Sequence, residues 1–324
     1  MVSRTHGGDE TAKVPMDVPS GAAAACNAAA PTLNASSTFS LREGGEMPIV
    51  GLGGGIFQDA ESAFASALEV GYRLIDTAPK YGESEAALGR AWTTSGVPRS
   101  ELFLTSKVGN VGYAAALQSL EASLAKLQTT YLDLLLMHSA VHQPVAKQPR
   151  SKLHAENRLA TWKALLEARA AGKVRAIGVC NHSPRQISQY VPLPAVWQLE
   201  YHALRQHPAW LQYAREKGIA LQAYGGGGGG WQLWKKDPNL DLLGRAPITA
   251  AAKAHARSPH QISLRWQIEQ GLCIIPKAAT RAHQIENRIL FDFALSESEA
   301  EAIGALRSEG PLSLYGFRDP DEYL

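Results

Sequence analysis

Tyr72-Arg73-Leu74-Ile75-Asp76, Leu102-Phe103-Leu104-Thr105-Ser106-Lys107 and Leu132-Asp133-Leu134-Leu135-Leu136-Met137-His138 are three apolar, strand-like runs, each ending on an ionisable side chain. A strand buried on both faces has no need of a charged last residue. A site at the C-terminal mouth of a parallel β/α barrel does, because each strand end holds one side chain rigidly over a common centre while the loop beyond supplies shape. Tyr81 follows Asp76 on the next loop, so four groups suited to proton handling arise from three consecutive strand ends.

The same rhythm runs through most of the chain. Further strands are expected at Ile49-Gly51, Val174-Val179, Ala195-Leu199, Ala220-Tyr224 and Leu272-Ile275. Helical patterns fill the intervals at Asp59-Val70, Ser84-Ser95, Gly112-Leu127, Arg158-Ala171, Pro208-Lys217, Pro247-Ala256, Ala282-Leu290 and Glu297-Arg307. Alternation of this kind marks βαβ units and a parallel sheet. The spacing therefore predicts an α/β fold, a single (β/α)8 barrel over residues 39–324, near the usual size of about 250 residues. Two long segments, from His142 to Glu156 and from Gly225 to about Arg245 with six consecutive glycines, are expected to lie over the mouth.

Residues 1–38 are rich in Ala, Ser, Pro and Gly and read as a disordered, solvated tail. Asp9, Glu10 and Asp17, with no apolar h-region, argue against a secretory signal, while an organellar transit segment stays open. A hydrophobic content of 45% with 19% charged residues is that of a soluble globular chain. The net charge of +2 is too small for a nucleic-acid footprint, and no apolar run is long enough to predict a membrane span. Cys26, Cys180 and Cys273 lack metal-ligand spacing and cannot pair evenly, which favours a reducing compartment and a cytoplasmic location.

Several motifs admit other readings. Gly51-Leu52-Gly53-Gly54-Gly55, with Asp76 after it, resembles a dinucleotide fingerprint, but Ile56 stands at the third glycine position; a doubly wound sheet is the second fold reading. Tyr213 and Lys217 have Tyr-x-x-x-Lys spacing, yet no suitable serine lies upstream, and an exposed helix face explains them. The glycine run lacks the Gly-Lys-Ser/Thr ending of a P-loop. His138 and His142 are four apart, but His138 ends a strand, where that spacing does not put both on one face, so no metal site is predicted.

Asp76, Tyr81, Lys107 and His138 interlock chemically. A lysine cation beside a tyrosine favours the phenolate and is expected to lower the tyrosine pKa from about 10. Asp76 would hold Lys107 charged and oriented, and His138 would hydrogen-bond a carbonyl oxygen or relay a proton to it.

At this point the sequence resembles the aldo-keto reductase family. The resemblance rests on Val70-Gly71-Tyr72-Arg73-Leu74-Ile75-Asp76-Thr77-Ala78-Pro79-Lys80-Tyr81-Gly82 with Glu85, on Lys173 through Asn181, on Gln198-Leu199-Glu200-Tyr201-His202, and on Ile275-Pro276-Lys277 with Glu286-Asn287. It implies NADPH bound across the barrel mouth, with NADH as a possible substitute. It also implies that Tyr81 acts as general acid, Lys107 and Asp76 tune it, and His138 orients the substrate oxygen. By the same resemblance Cys180, Asn181 and Gln198 would hold the nicotinamide carboxamide and Tyr224 would stack on the ring. Lys277 and His283 would meet the 2′-phosphate, Glu286 and Asn287 the adenine, and Thr77 and Thr280 join the cofactor contacts.

Departures from the family pattern are informative too. Cys180 stands for a serine, Gly225 for the serine after the stacking tyrosine, Ala278 for a serine and His283 for an arginine, which implies a reduced preference for NADPH over NADH. On the substrate side, Gly54-Gly55 replaces the usual Thr-Trp and Ser139 replaces an aromatic, leaving Phe57, Ser139 and Trp231 as pocket residues. The implied protein is a monomeric reductase of a small aldehyde or ketone. Two alternatives stay open: a non-catalytic, redox-sensing nicotinamide-binding subunit, and an NAD-dependent dehydrogenase working in the oxidative direction.

Overall fold

A computed structural model describes residues 33–148, 151–228, 237–309 and 313–314. Leu33–Leu324 forms one unit. Its strands are β1 (Thr38–Ser40), β2 (Glu46–Pro48), β3 (Gly51–Gly53), β4 (Leu74–Asp76), β5 (Phe103–Val108), β6 (Leu132–Met137), β7 (Val174–Cys180), β8 (Val196–Glu200), β9 (Ala220–Tyr224) and β10 (Cys273–Ile274). Strands β3 to β10 form one parallel, eight-stranded sheet in sequence order. A parallel bridge between Val50 and Ile274, with the Ile274 N–H donating to the Ile49 carbonyl at 2.8 Å, joins its two ends. Strand order never reverses, so the doubly wound reading falls and the barrel stands.

The period-2 alternation of a strand sorts the buried side chains into two cores. Leu74, Phe103, Leu134, Leu136, Ala176, Cys180, Val196 and Ile275 face the barrel interior, while Ile75, Leu104, Leu135, Ile177, Val179, Trp197, Leu199 and Leu221 pack outward under the helices. Asp76 and Lys107 continue the inward rows, which carries them to the interior at the mouth.

The helices are α1 (Ala60–Val70), α2 (Ser84–Thr94), α3 (Tyr113–Lys126), α4 (Leu153–Ala170), α5 (Pro184–Ile187), α6 (Pro208–Lys217), α7 (Ala246–His255), α8 (Pro259–Glu269), α9 (Arg281–Glu286) and α10 (Glu297–Gly304). Asp59 caps α1 through the Ser62 N–H, and Ser258 and Ser296 close capping boxes on α8 and α10. Tyr213 packs edge-on against Trp197 from α6, which accounts for it without chemistry.

The structure differs from expectation in four places. The hairpin β1–β2 precedes the barrel; its Leu41 and Met47 enter the interior core from below, and Asn34–Ser37 forms a turn ahead of it. The first barrel strand lies at Gly51–Gly53 rather than Ile49-Gly51, because Ile49 and Val50 are taken up by the seam with Ile274. Helix α8 fills an interval where no helix was expected: its buried Gln261, Ser263 and Gln267 interrupt the apolar stripe that would reveal it. Helix α4 begins at Leu153, inside the segment expected as loop. Its His154 Nδ1 accepts the His142 N–H at 3.0 Å, and Asn110 Nδ2 donates to the carbonyls of Ala140 and His154 at 2.7 and 3.0 Å, so the connection after β6 is pinned at both ends.

A buried histidine ties β7 to the segment beyond it. His182 Nδ1–H donates to the Cys180 carbonyl at 2.8 Å, which leaves Nε2 as acceptor for the Tyr190 hydroxyl at 2.9 Å. Burial is the main reason its pKa falls to about 3. The folded state therefore takes up this proton less readily than the unfolded chain, and its contribution to stability is complete above about pH 6.5 and lost as pH falls toward 3. Denaturant midpoints measured from pH 7 to pH 4 should fall, at up to about 1.4 kcal/mol per pH unit for this group. In His182→Leu that slope should become shallower; an unchanged slope would show that other groups set the acid limit.

Candidate active site

Lys107, the penultimate residue of β5, is fully buried and must place three N–H bonds in a space without water. It meets Asp76 Oδ1 at 2.5 Å, the Thr77 carbonyl at 3.1 Å and the Tyr81 hydroxyl oxygen at 3.4 Å. All three donors are used. Burial works to lower the Lys107 pKa, but the facing Asp76 carboxylate outweighs it and the net direction is up, so the cation persists.

Tyr81 is brought over this pair by a turn in which its N–H reaches the Ala78 carbonyl at 3.0 Å. Its hydroxyl lies 3.5 Å from His138 Nε2, the rings meeting edge-on at 5.7 Å. The four residues singled out from the strand ends thus form one cluster. One expectation is corrected: the Tyr81 pKa is raised, because burial outweighs the pull of Lys107, so at neutral pH the phenol keeps its proton. His138 lies well below the ordinary histidine range, first through burial and then through the cations of Lys107 and Lys80, so it is a neutral imidazole.

The residues expected around a nicotinamide lie beside this cluster. Asn181 adopts a left-handed φ of 58° at the end of β7. Its amide donates to the His138 carbonyl at 3.2 Å and accepts the Tyr224 hydroxyl at 2.6 Å, which fixes the half-buried Tyr224 ring at the end of β9. Gln198 Nε2 donates to Asp76 Oδ2 at 2.8 Å and to Gln222 Oε1 at 2.7 Å, and its Oε1 accepts the Cys180 thiol at 3.3 Å. Its amide therefore serves Asp76 in this arrangement, and Cys180 is turned into the barrel rather than out of it. Thr77 is likewise buried, its hydroxyl donating to Ser84 Oγ at 2.8 Å, which passes a bond to the Gly54 carbonyl at 2.8 Å.

The expected nucleotide-end residues gather at β10, α8 and α9. Lys277 Nζ donates to the Ile56 carbonyl at 2.5 Å and lies 5.1 Å over the Phe57 ring. Partial burial lowers its pKa. Thr280 is the exposed N-cap of α9, accepting the His283 N–H, and His283 is exposed one turn on. Glu286 accepts the Ser258 hydroxyl. Asn287 is completely buried, and neither amide atom has a hydrogen-bond partner among the described residues.

On the expected substrate side, Ser139 is half-buried next to His138 and its hydroxyl accepts the Val141 N–H at 3.1 Å. Phe57 meets Phe64 edge-on at 5.5 Å and Lys277 above, so its described contacts belong to the side of β10 rather than to Tyr81. Trp231 lies outside the described residues.

Sequence reasoning missed Gln222 and the role of Glu200. A glutamine in the middle of Ala-Leu-Gln-Ala-Tyr, at an inward position, was the available signal for the first. Glu200, at the end of β8, accepts the Leu314 N–H and the Ser313 hydroxyl, both at 2.6 Å, and pairs with His202 Nε2 at 3.1 Å. Burial would raise its pKa, but the bonds from His202 and Ser313 bring it below the usual value.

Residues 51–308 match the model of the aldo/keto reductase family. The chain belongs to this family and is an aldo-keto reductase enzyme, an oxidoreductase on a barrel whose members use nicotinamide cofactors. It is 36% identical to an aldo-keto reductase of Mycobacterium sp. over 88% of this chain and 95% of that one. It is 34% identical to the glyoxal reductase of Bacillus subtilis over 89% and 97% of the two chains. Among solved structures, Gox0644 in complex with NADPH superposes with a TM-score of 0.74 at 28% identity, covering 89% of this chain and 98% of that one. Among the described residues no helix is long and apolar enough to cross a membrane.

The glycines before α1 are explained by packing, not by a phosphate turn. A Cβ on Gly53 would lie 2.6 Å from the Ile275 carbonyl oxygen, and one on Gly54 would lie 2.5 Å from that of Asp76, to which the Gly54 N–H is bonded at 2.6 Å. Backbone contacts of this kind cannot yield as side chains do. Gly54→Ala should therefore push the end of β4 aside, destabilising the fold by about 1–3 kcal/mol and lowering turnover by displacing Asp76. Thermal unfolding and steady-state rates test this; a variant with the parental melting temperature and rate would mean that the strand end adapts freely.

Proposed function

We propose that this enzyme reduces an aldehyde or ketone to an alcohol with NADPH, Tyr81 serving as general acid. The observation that carries the reading is a protonated phenol held between a buried lysine cation at 3.4 Å and a neutral imidazole at 3.5 Å. The bound cofactor would supply a hydride to the carbonyl carbon. As negative charge grows on the substrate oxygen, the Tyr81 hydroxyl gives it a proton. The phenolate left behind faces Lys107, whose third N–H already points at that oxygen. His138, neutral through burial, binds and orients the carbonyl without competing for the proton. Asp76 keeps Lys107 charged and in place.

The residues at the mouth suit a dinucleotide. Asn287 offers a buried donor and acceptor with no partner, which an adenine edge satisfies. Tyr224, steadied by Asn181, offers a flat face for the nicotinamide. Lys277 is the cation for a 2′-phosphate once it releases the Ile56 carbonyl. A redox sensor would need only these cofactor contacts, and the completed donor set around Lys107 favours the enzyme instead. Relatives that include a glyoxal reductase support a small carbonyl substrate.

Tyr81→Phe retains the ring and removes the proton donor. It should lower carbonyl reduction by about 10²- to 10⁴-fold and leave NADPH affinity nearly intact. NADPH oxidation with a panel of activated aldehydes measures the first, and tryptophan fluorescence the second; a variant keeping half the parental turnover, with chemistry rate-limiting, would remove Tyr81 from this role.

Cofactor choice turns on His283, an exposed residue where an arginine would bring a permanent charge and a bidentate fork. His283→Arg should widen the preference for NADPH over NADH, as the ratio of dissociation constants, by about 5- to 10-fold if it gains a charged hydrogen bond to the phosphate. An unchanged ratio would place His283 away from the phosphate.

A further inference from the structure

Beneath Asp76 a row of buried polar side chains descends the barrel axis, and none of its lower members belongs to the cluster over which Tyr81 sits. Gln198 bonds Asp76 Oδ2 at 2.8 Å with one Nε2–H and Gln222 Oε1 at 2.7 Å with the other. Gln222 Nε2 in turn faces Met47 Sδ, on the hairpin plug, at 3.7 Å. Gln222 is wholly buried and Gln198 nearly so.

The direction of each bond in the row is fixed from the top. A carboxylate only accepts, so the amide nitrogen of Gln198 must face Asp76, and its second N–H then requires an acceptor below. Gln222 supplies one by presenting its oxygen upward, and its own nitrogen is left toward the soft thioether sulfur. The Cys180 thiol donates to the remaining Gln198 oxygen at 3.3 Å. Flipping either amide would set nitrogen against nitrogen or oxygen against carboxylate, so a single arrangement satisfies the row.

We propose that Gln222 is a positioning residue for the reaction: it holds Gln198, which clamps the free oxygen of Asp76 and so fixes how Lys107 presents its third N–H to Tyr81. This rests on the reading of Tyr81 as general acid. With Gln222 unable to accept, Gln198 loses its anchor and a buried N–H is left bare. Asp76 Oδ2, no longer held, draws more strongly on Lys107, and Tyr81 becomes a weaker acid. The effect should appear in the proton-transfer step and not in cofactor affinity, because Gln222 lies a layer below the mouth.

Gln222→Met fills the volume without the acceptor, whereas Gln222→Glu, neutral in so dry a place, keeps an oxygen facing Gln198. Expected for Gln222→Met is a kcat lower by about tenfold, the loss of roughly one charge-assisted hydrogen bond, with the NADPH dissociation constant within about twofold of the parent. The alkaline limb of the pH profile for alcohol oxidation should move to higher pH. Gln222→Glu should restore most of kcat. The proposal fails if Gln222→Met keeps the parental rate and profile. It fails equally if both variants lose activity in proportion to lost melting temperature, or if the loss resides in NADPH binding. Failure of the underlying reading is separate: Tyr81→Phe would then stay active, whatever Gln222 does.

Discussion

A lysine ammonium without solvent, deep in a barrel of aliphatic side chains, is the constraint around which this molecule is organised. Burying such an ion unpaired costs several kcal/mol, and a pair recovers that cost only where every remaining donor and acceptor is met. The contacts of Lys107 meet that condition. Asp76 neutralises the charge at 2.5 Å, the Thr77 carbonyl takes a second N–H, and Tyr81 takes the third. Thr77 and Tyr81 are themselves fixed by the turn after β4, which leans on Ser84 and the Gly54 carbonyl. The glycine at 54 is thus part of the same requirement, since nothing larger lets β3 lie on the end of β4.

Those interactions explain why the fold and the central cluster were legible in the sequence. An ionisable residue closing an apolar run is conspicuous by type alone, and Asp76, Lys107 and His138 needed no knowledge of neighbours. Apolar runs at regular intervals likewise gave the barrel, because strands buried on both faces carry few polar residues. The hairpin β1–β2 was illegible for the opposite reason: strands of three residues show no period. Helix α8 was hidden because it buries Gln261, Ser263 and Gln267 on the side where a stripe of leucines would have announced it.

Properties that depend on depth were beyond the sequence. Adjacency of Lys107 and Tyr81 suggested a lowered phenol pKa, and adjacency was right, but burial reverses the sign. Gln198 was matched to a nicotinamide contact by its place in a motif. Its amide can also be claimed from below, and only the inward register shared by Gln198, Gln222 and Asp76 shows that it is. Inward and outward faces cannot be told apart in a strand that is apolar throughout, so Gln222 read as one more core residue.

Burial assigns different work to the ionisable groups at different depths. His182 is held neutral to join β7 to the chain beyond it, so it ties the fold to acid-sensitive stability. His138, closer to the mouth, is neutral for the same primary reason with the fields of Lys107 and Lys80 added. Neutrality suits its place beside Tyr81, since a second cation there would hold the phenolate and leave the phenol a reluctant partner for an alkoxide to return its proton to. With Lys107 the single charged donor at the Tyr81 oxygen, the site can run in either direction. A protonated phenol at neutral pH suits reduction; rising pH favours the phenolate and therefore oxidation.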